Sequence, residues 1–88
     1  MIEREFIVKN KLGLHARPAA LFVHEAGRFM SSIMVSKDGL EINGKSVMGL
    51  MLLAAESGSV LKVKMDGLDE KLAAEALEKL FERKFDEE

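Results

Sequence analysis

The residues best suited to chemistry lie together in the segment Gly13-Leu14-His15-Ala16-Arg17-Pro18-Ala19, where a helix is predicted to begin. Pro18 fits the first turn of a helix, because its missing N–H and fixed φ cost nothing there. His15 then falls at the N-cap or beside it, where the first-turn N–H groups lack partners inside the helix. These amides and the helix dipole favour an anion, and they keep a lone pair available on the imidazole. Because Arg17 adds a planar cation that fits phosphate oxygens, the segment suits a histidine that accepts a phosphoryl group.

Plainer interpretations of His15 stay open at this point. A histidine before a helix is often only a cap or a solvated loop residue. A metal site is disfavoured, because His24 lies about half a helical turn round from His15 and the chain has no cysteine. No serine stands in a nucleophile elbow, which argues against a Ser-His-Asp hydrolase. We therefore expect no metal and no cofactor.

Ser46 is a second candidate, because it directly precedes a short predicted helix over residues 47–53. A serine at this place is an ordinary N-cap, whose hydroxyl accepts a hydrogen bond from a first-turn N–H. A phosphoserine would also be tolerated there, since the helix dipole favours negative charge at that end. The two roles are compatible.

Strands with a period of two and helices with a period of 3.6 must position these residues. Alternation predicts strands in residues 2–9, 33–35, 40–43 and 61–66, with a hairpin turn at 37–39. Charge on one face of each strand predicts a sheet buried on one side, which favours antiparallel pairing. The other helices cover residues 16–29 and the segment after Asp69, which is a good N-cap. The order βαββαβα predicts an α+β fold of the open-faced sandwich type.

The apolar stripes of the long helices predict which side chains face the sheet. In the first helix they are Phe22, Ala26 and Phe29, and in the third Leu72, Ala76, Leu77, Leu80 and Phe81.

The composition of the chain excludes several classes of protein. It has 88 residues, 48% of them hydrophobic, which indicates one folded domain over residues 1–88. A net charge of −2 argues against a general binder of nucleic acid or acidic membranes. The longest apolar run, residues 47–55, is too short to be inserted across a bilayer, and the N-terminal residues lack a signal-peptide pattern. We expect a soluble cytoplasmic protein.

Two motifs carry a resemblance to a known family. The segment 13–19 closely resembles the active-site signature of HPr, the histidine-containing phosphocarriers of the bacterial sugar phosphotransferase system. The segment Gly44-Lys45-Ser46-Val47-Met48-Gly49-Leu50-Met51 is similar to the regulatory-serine segment of that family. The likeness extends over essentially the whole chain, although Ala54 stands where a glycine is expected and His24 is atypical. It implies a four-stranded antiparallel sheet with three helices on one side.

The resemblance also implies a function and its residues. His15 would take a phosphoryl group on Nδ1 from phosphorylated enzyme I, which draws it from phosphoenolpyruvate, and pass it to sugar-specific enzyme IIA domains. Arg17 would assist the transfer. Ser46 would be phosphorylated by HPr kinase/phosphorylase, with a catabolite-control transcription regulator as a further partner. Such a chain is a carrier rather than an enzyme, and we expect a monomer.

The docking surface follows from the same resemblance. It would combine an exposed face of the second helix with neighbouring residues of the first. By position these residues are Ala16, Ala20, His24, Gly27, Val47, Met48 and Met51. Unbranched methionine side chains adapt to several partners in turn.

Other functions are less well supported by the residues. An RNA-binding domain would need aromatic side chains on the open sheet face, but that face carries Glu3, Glu5, Lys62 and Lys64. A stand-alone enzyme would need a deep pocket, for which 88 residues leave little room. Among relatives, a Crh-like regulator lacks the active histidine. A nitrogen-branch paralogue keeps it and is the alternative that stays open.

Overall fold

The strands and helices occur in the predicted order in the computed structural model, which describes residues 1–87. They are β1 (Ile2–Ile7), α1 (Ala16–Ala26), β2 (Ser32–Lys37), β3 (Leu40–Asn43), α2 (Val47–Leu52), β4 (Val60–Asp66) and α3 (Glu70–Glu82), followed by a single 3-10 turn, η1 (Lys84–Asp86). The strands form one antiparallel sheet in the order β1-β4-β2-β3. The predicted α+β open-faced sandwich is confirmed.

The sheet has one buried and one solvated face, as the alternation predicted. Leu61, Val63 and Met65 of β4 are fully buried beneath the helices. On the opposite face Lys62 Nζ lies 3.5 Å from a carboxylate oxygen of Glu3, and a matching pair joins Lys64 to Glu41. The four charged side chains are exposed, so this face of the sheet is open to solvent. Exposed ion pairs of this kind add little to stability.

Helix α1 ends at Ala26 rather than near residue 29, so its predicted length was wrong by about one turn. Gly27 is its C-cap, and the Phe29 N–H donates to the Ala26 carbonyl at 3.2 Å. Such i→i−3 bonds tighten the chain after the last helical turn. The Phe29 side chain is nevertheless partly buried against the core, as its spacing indicated.

Helix α3 is rotated relative to the predicted stripe. Ala73, Ala74, Leu77, Leu80 and Phe81 are buried. Leu72 is 60% exposed, so its predicted burial was wrong, and Ala76 is only half-buried. The rotation follows from Phe81, whose ring stacks on Phe6 at 4.8 Å and meets Phe22 edge-on at 6.1 Å. With this ring facing the sheet, a step of about 100° per residue turns Leu72 outward.

Asp69 is the N-cap residue of α3, as predicted, but its carboxylate does not cap the helix. It accepts hydrogen bonds from the N–H groups of Met30 and Ser31, at 2.9 and 3.0 Å, and from the Ser31 hydroxyl. The Ser31 hydroxyl first, and then the Met30 N–H, hold the pKa of the Asp69 carboxyl below its usual value. The carboxylate therefore ties the start of α3 to the loop before β2.

Candidate functional site

The start of α1 presents the residues singled out by the sequence. His15 is the N-cap, with extended φ and ψ of −79° and −171°, and its carbonyl accepts from the Ala19 N–H at 3.0 Å. Pro18 and Ala19 are buried, whereas Ala16 and Arg17 face outward. The imidazole makes no capping hydrogen bond and its side chain is 37% exposed. The imidazole ring therefore lies at the N-terminus of α1 but does not cap the first-turn N–H groups.

The loop before His15 is fixed by close backbone contacts. Gly13 adopts a φ of +74°, a left-handed conformation that favours glycine. The Leu14 N–H donates to the Ala55 carbonyl at 2.8 Å, and the Leu14 side chain is buried. The position of His15 therefore depends on the segment that follows α2.

Glu87 also contacts His15, which the sequence analysis did not predict. Its Oε2 and Oε1 atoms lie 3.0 and 3.3 Å from Nε2 of His15. The buried Asn10 donates from Nδ2 to Glu87 Oε1 at 3.0 Å and to the Gly13 carbonyl at 2.6 Å. No local pattern relates positions 10, 15 and 87, since this contact depends on the path of the chain after α3.

Arg17 lies in the first turn of α1 with an exposed side chain. Arg28 pairs with Glu25, and Arg83 pairs with Asp86. Within residues 1–87, the Arg17 guanidinium by contrast makes no hydrogen bond or ion pair. A permanently charged group that has no partner among the described residues is available for an anionic ligand beside the helix start.

Ser46 caps α2, which confirms its predicted structural role. Its Oγ accepts from the Gly49 N–H at 3.0 Å, and its backbone is extended. Within residues 1–87 the Ser46 side chain is hydrogen-bonded to the Gly49 N–H and not to His15.

Helix α2 exposes part of the predicted docking face. Met48 is 79% exposed and Met51 is also exposed, but Val47 packs partly against the core, so its placement on an open face was wrong in part. The reason is that Val47 lies next to the buried side of this short helix, which Leu50 occupies. Leu52 is exposed as well, and the sequence analysis missed it.

The two helices bring part of this face to His15. His15 and Met51 line one open depression together with Leu12. Ala16 and Ala20 are exposed on α1, as are His24 and Gly27 towards its far end. Among the described residues no group of His, Asp and Glu has the geometry to hold a metal ion. Within the same range, every helix falls short of the length and apolar character of a membrane span.

Comparisons with known proteins agree over the length of the chain. The family model described as the PTS HPr component phosphorylation site matches residues 2–83. Phosphocarrier protein HPr of Xylella fastidiosa is 51% identical over 88 residues, which are 100% of this chain and 99% of that protein. The HPr-like protein Crh of Halalkalibacterium halodurans is 56% identical over 77 residues, covering 88% of this chain and 92% of Crh. The crystal structure of HPr-C-His from Thermoanaerobacter tengcongensis has a TM-score of 0.96 at 51% identity, covering 100% of this chain and 99% of that one. The chain therefore belongs to the HPr family of the phosphotransferase system.

Proposed function

We propose that this protein accepts a phosphoryl group on His15 from phosphorylated enzyme I and passes it to enzyme IIA domains. The observation that carries the proposal is the half-exposed imidazole of His15, which stands at the N-terminus of α1 without capping it. The free first-turn amides and the exposed Arg17 can stabilise the charge of a phosphoryl group at that place. Because the ring must enter the active site of a partner, the chain turns over only with its partner enzymes.

The transfer itself is a simple exchange of bonds. The lone pair on Nδ1 of His15 forms a bond to phosphorus, while the bond from phosphorus to the donor breaks and its electron pair stays with the donor. The ring then carries a positive charge until the phosphoryl group leaves for the acceptor. Arg17 contributes by binding the phosphoryl oxygens, which bear negative charge throughout.

We propose further that Ser46 is a regulatory phosphorylation site. Ser46 is half-buried at the start of α2, a helix that exposes Met48 and Met51. HPr kinase/phosphorylase would modify Ser46, and a catabolite-control transcription regulator would read the modified form. A nitrogen-branch phosphocarrier remains the second candidate, and transfer to sugar-specific IIA domains separates the two. The single domain, the monomeric state and the cytoplasmic location stay predictions.

The experiment that tests the function is incubation with phosphoenolpyruvate and purified enzyme I, followed by intact-mass measurement. We expect a gain of one phosphate that mild acid removes, as for phosphohistidine. His15→Ala should abolish the gain, whereas His24→Ala should still reach one phosphate at the end point, because His24 is proposed to contact the partner and not to accept the phosphoryl group. Labelling of the His15→Ala variant, or no gain in the wild type, would overturn the proposal.

A further inference from the structure

We infer that Glu87, held in place by Asn10, positions His15 by accepting the Nε2 proton, which leaves the lone pair on Nδ1. Glu87 and Asn10 are positioning residues in this scheme, because neither is expected to touch the phosphoryl group. The inference rests on the function proposed for His15 and adds a carboxylate that neither motif contains.

The geometry supports a hydrogen bond between the ring and the carboxylate. Glu87 Oε2 lies 3.0 Å from Nε2 of His15, and the Glu87 side chain is only 16% exposed. A carboxylate only accepts, so Nε2 must donate and carry the proton. In a neutral imidazole the other nitrogen is then the unprotonated one. Within residues 1–87 Nδ1 has no hydrogen-bond partner, which leaves it open to an incoming phosphorus atom.

Asn10 fixes the carboxylate. Its Nδ2 donates both to Glu87 Oε1 and to the Gly13 carbonyl, while its buried Oδ1 has no partner in the described part of the chain. Turning the amide over would place Oδ1 against two acceptors, so the orientation is determined. A buried acceptor without a hydrogen bond costs stability. In this orientation Asn10 keeps the two hydrogen bonds that Nδ2 donates, and its Oδ1 stays unpaired among the described residues.

The chain after α3 turns back to deliver Glu87. Lys84, Phe85 and Asp86 have φ values of 55°, 55° and 60°, a left-handed conformation that costs non-glycine residues energy. The burial of Phe85, whose ring lies 4.9 Å from that of Phe81, offsets this cost. Glu87 is thereby attached to the core two residues after a buried aromatic anchor.

The carboxylate also matches the charge that the reaction creates. When Nδ1 bonds to phosphorus, the Nε2 proton stays in place and the ring becomes cationic. Glu87 then faces a positive ring at hydrogen-bond distance, in a place partly shielded from water. When the N–P bond breaks, its electron pair returns to Nδ1 and the ring is neutral again, with its proton still shared with Glu87.

Nitrogen NMR of the full-length protein alone tests the positioning role without any partner. At a pH where histidine is ordinarily neutral, we expect the wild-type His15 ring to be protonated on Nε2. Its N–H should exchange with water at least about threefold faster in Glu87→Gln and Glu87→Ala, the change that corresponds to losing one hydrogen bond. Asp86→Asn is the matched control: it removes the neighbouring carboxylate, which pairs with Arg83, and should leave the ring signals unchanged.

Asn10→Ala should change the His15 signals in the same direction, and it should change them less in the Glu87→Ala background than in the wild type, because only its bond to the Gly13 carbonyl is then left to lose. With enzyme I, Glu87→Gln should lower kcat/KM about threefold to tenfold. A wild-type ring protonated on Nδ1 would overturn the inference. So would ring signals and transfer rates that are the same in Glu87→Ala as in the wild type. A wild-type protein that takes no phosphate would instead overturn the proposed function, whatever the NMR result.

Discussion

The backbone N–H of Leu14 donates to the carbonyl oxygen of Ala55 at 2.8 Å, which ties the residue before His15 to the segment after α2. Gly13 lies so close to the same segment that a Cβ there would stand 2.5 Å from the Ala55 oxygen. Nothing flexible can move aside, because the crowding atom belongs to the backbone. The imidazole is therefore presented from a loop that the core holds rigidly.

Gly13→Ala should lower the free energy of unfolding and slow His15 phosphorylation. The added methyl group combines a left-handed φ with a clash, for which we expect a loss of roughly 2–5 kcal/mol. Gly58→Ala is the matched control, since Gly58 has a φ of +91° with nothing within 4 Å of its Cβ position. It should lose roughly 1 kcal/mol from strain alone. Equal losses in urea denaturation of the two variants would contradict the clash.

Arg17→Ala should slow phosphate transfer by about tenfold to a hundredfold without changing the fold. The expected loss is roughly 1.5–3 kcal/mol, that of one charge-assisted hydrogen bond to the phosphoryl group. Rapid-quench kinetics with enzyme I and with a IIA domain measure it. Arg4→Ala removes the same charge from an exposed position on β1 and should transfer normally. Unchanged transfer in the Arg17 variant would remove this residue from the site.

Ser46→Asp should inhibit phosphorylation of His15 by enzyme I while the domain stays folded. Aspartate caps a helix about as well as serine, so we expect thermal stability near that of the wild type. The added charge opposes docking on the exposed face of α2, and added salt should relieve part of the effect.

Ser46→Ala provides the contrasting variant. It loses the hydrogen bond to the Gly49 N–H, which should cost about 1 kcal/mol of stability while phosphorylation proceeds normally. If inhibition followed lost stability across the two variants rather than charge, the docking mechanism would be wrong.

Met48→Ala should weaken binding to enzyme I by about 1 kcal/mol or more, the loss expected for a residue central to an interface. Met48 is exposed on the proposed docking face, so its truncation should leave folding intact. Met30→Ala is the matched control, because Met30 is 93% exposed in the loop before β2, outside that face. Titration calorimetry compares the two, and equal affinities would place the interface elsewhere.

The Asp69 carboxylate should make the stability of the fold depend on pH in the acid range. Its pKa is lowered by the hydrogen bond from the Ser31 hydroxyl and then by that from the Met30 N–H. A carboxyl whose folded pKa lies below its unfolded one stabilises fully above the unfolded pKa. This stabilisation is lost as the pH falls through the folded pKa.

Asp69→Asn should therefore be less stable than the wild type at neutral pH, and its stability should fall less steeply below about pH 4. Asp38→Asn makes the same charge change in the exposed β2–β3 turn and should keep the wild-type acid profile. Parallel pH profiles for the wild type and Asp69→Asn, measured by thermal unfolding, would refute the role of this carboxylate.

The residues alone were enough to predict the helix that begins directly after His15, the N-cap at Ser46 and the one-sided sheet. These features depend on neighbours within a few positions. Proline restricts its own φ, a serine hydroxyl reaches an N–H three residues on, and alternation reports which face of a strand is buried.

Only the tertiary structure decided how α3 is rotated, which groups donate hydrogen bonds to the Asp69 carboxylate and which carboxylate contacts His15. Leu72 and Leu77 are both apolar, and the stacking of Phe81 on Phe6 determines which of them is buried. The pairing of Glu87 with His15 requires the left-handed turn after α3 and the burial of Phe85. Such contacts join residues that are far apart in the sequence, and they form only where packing of the whole core brings those residues within reach.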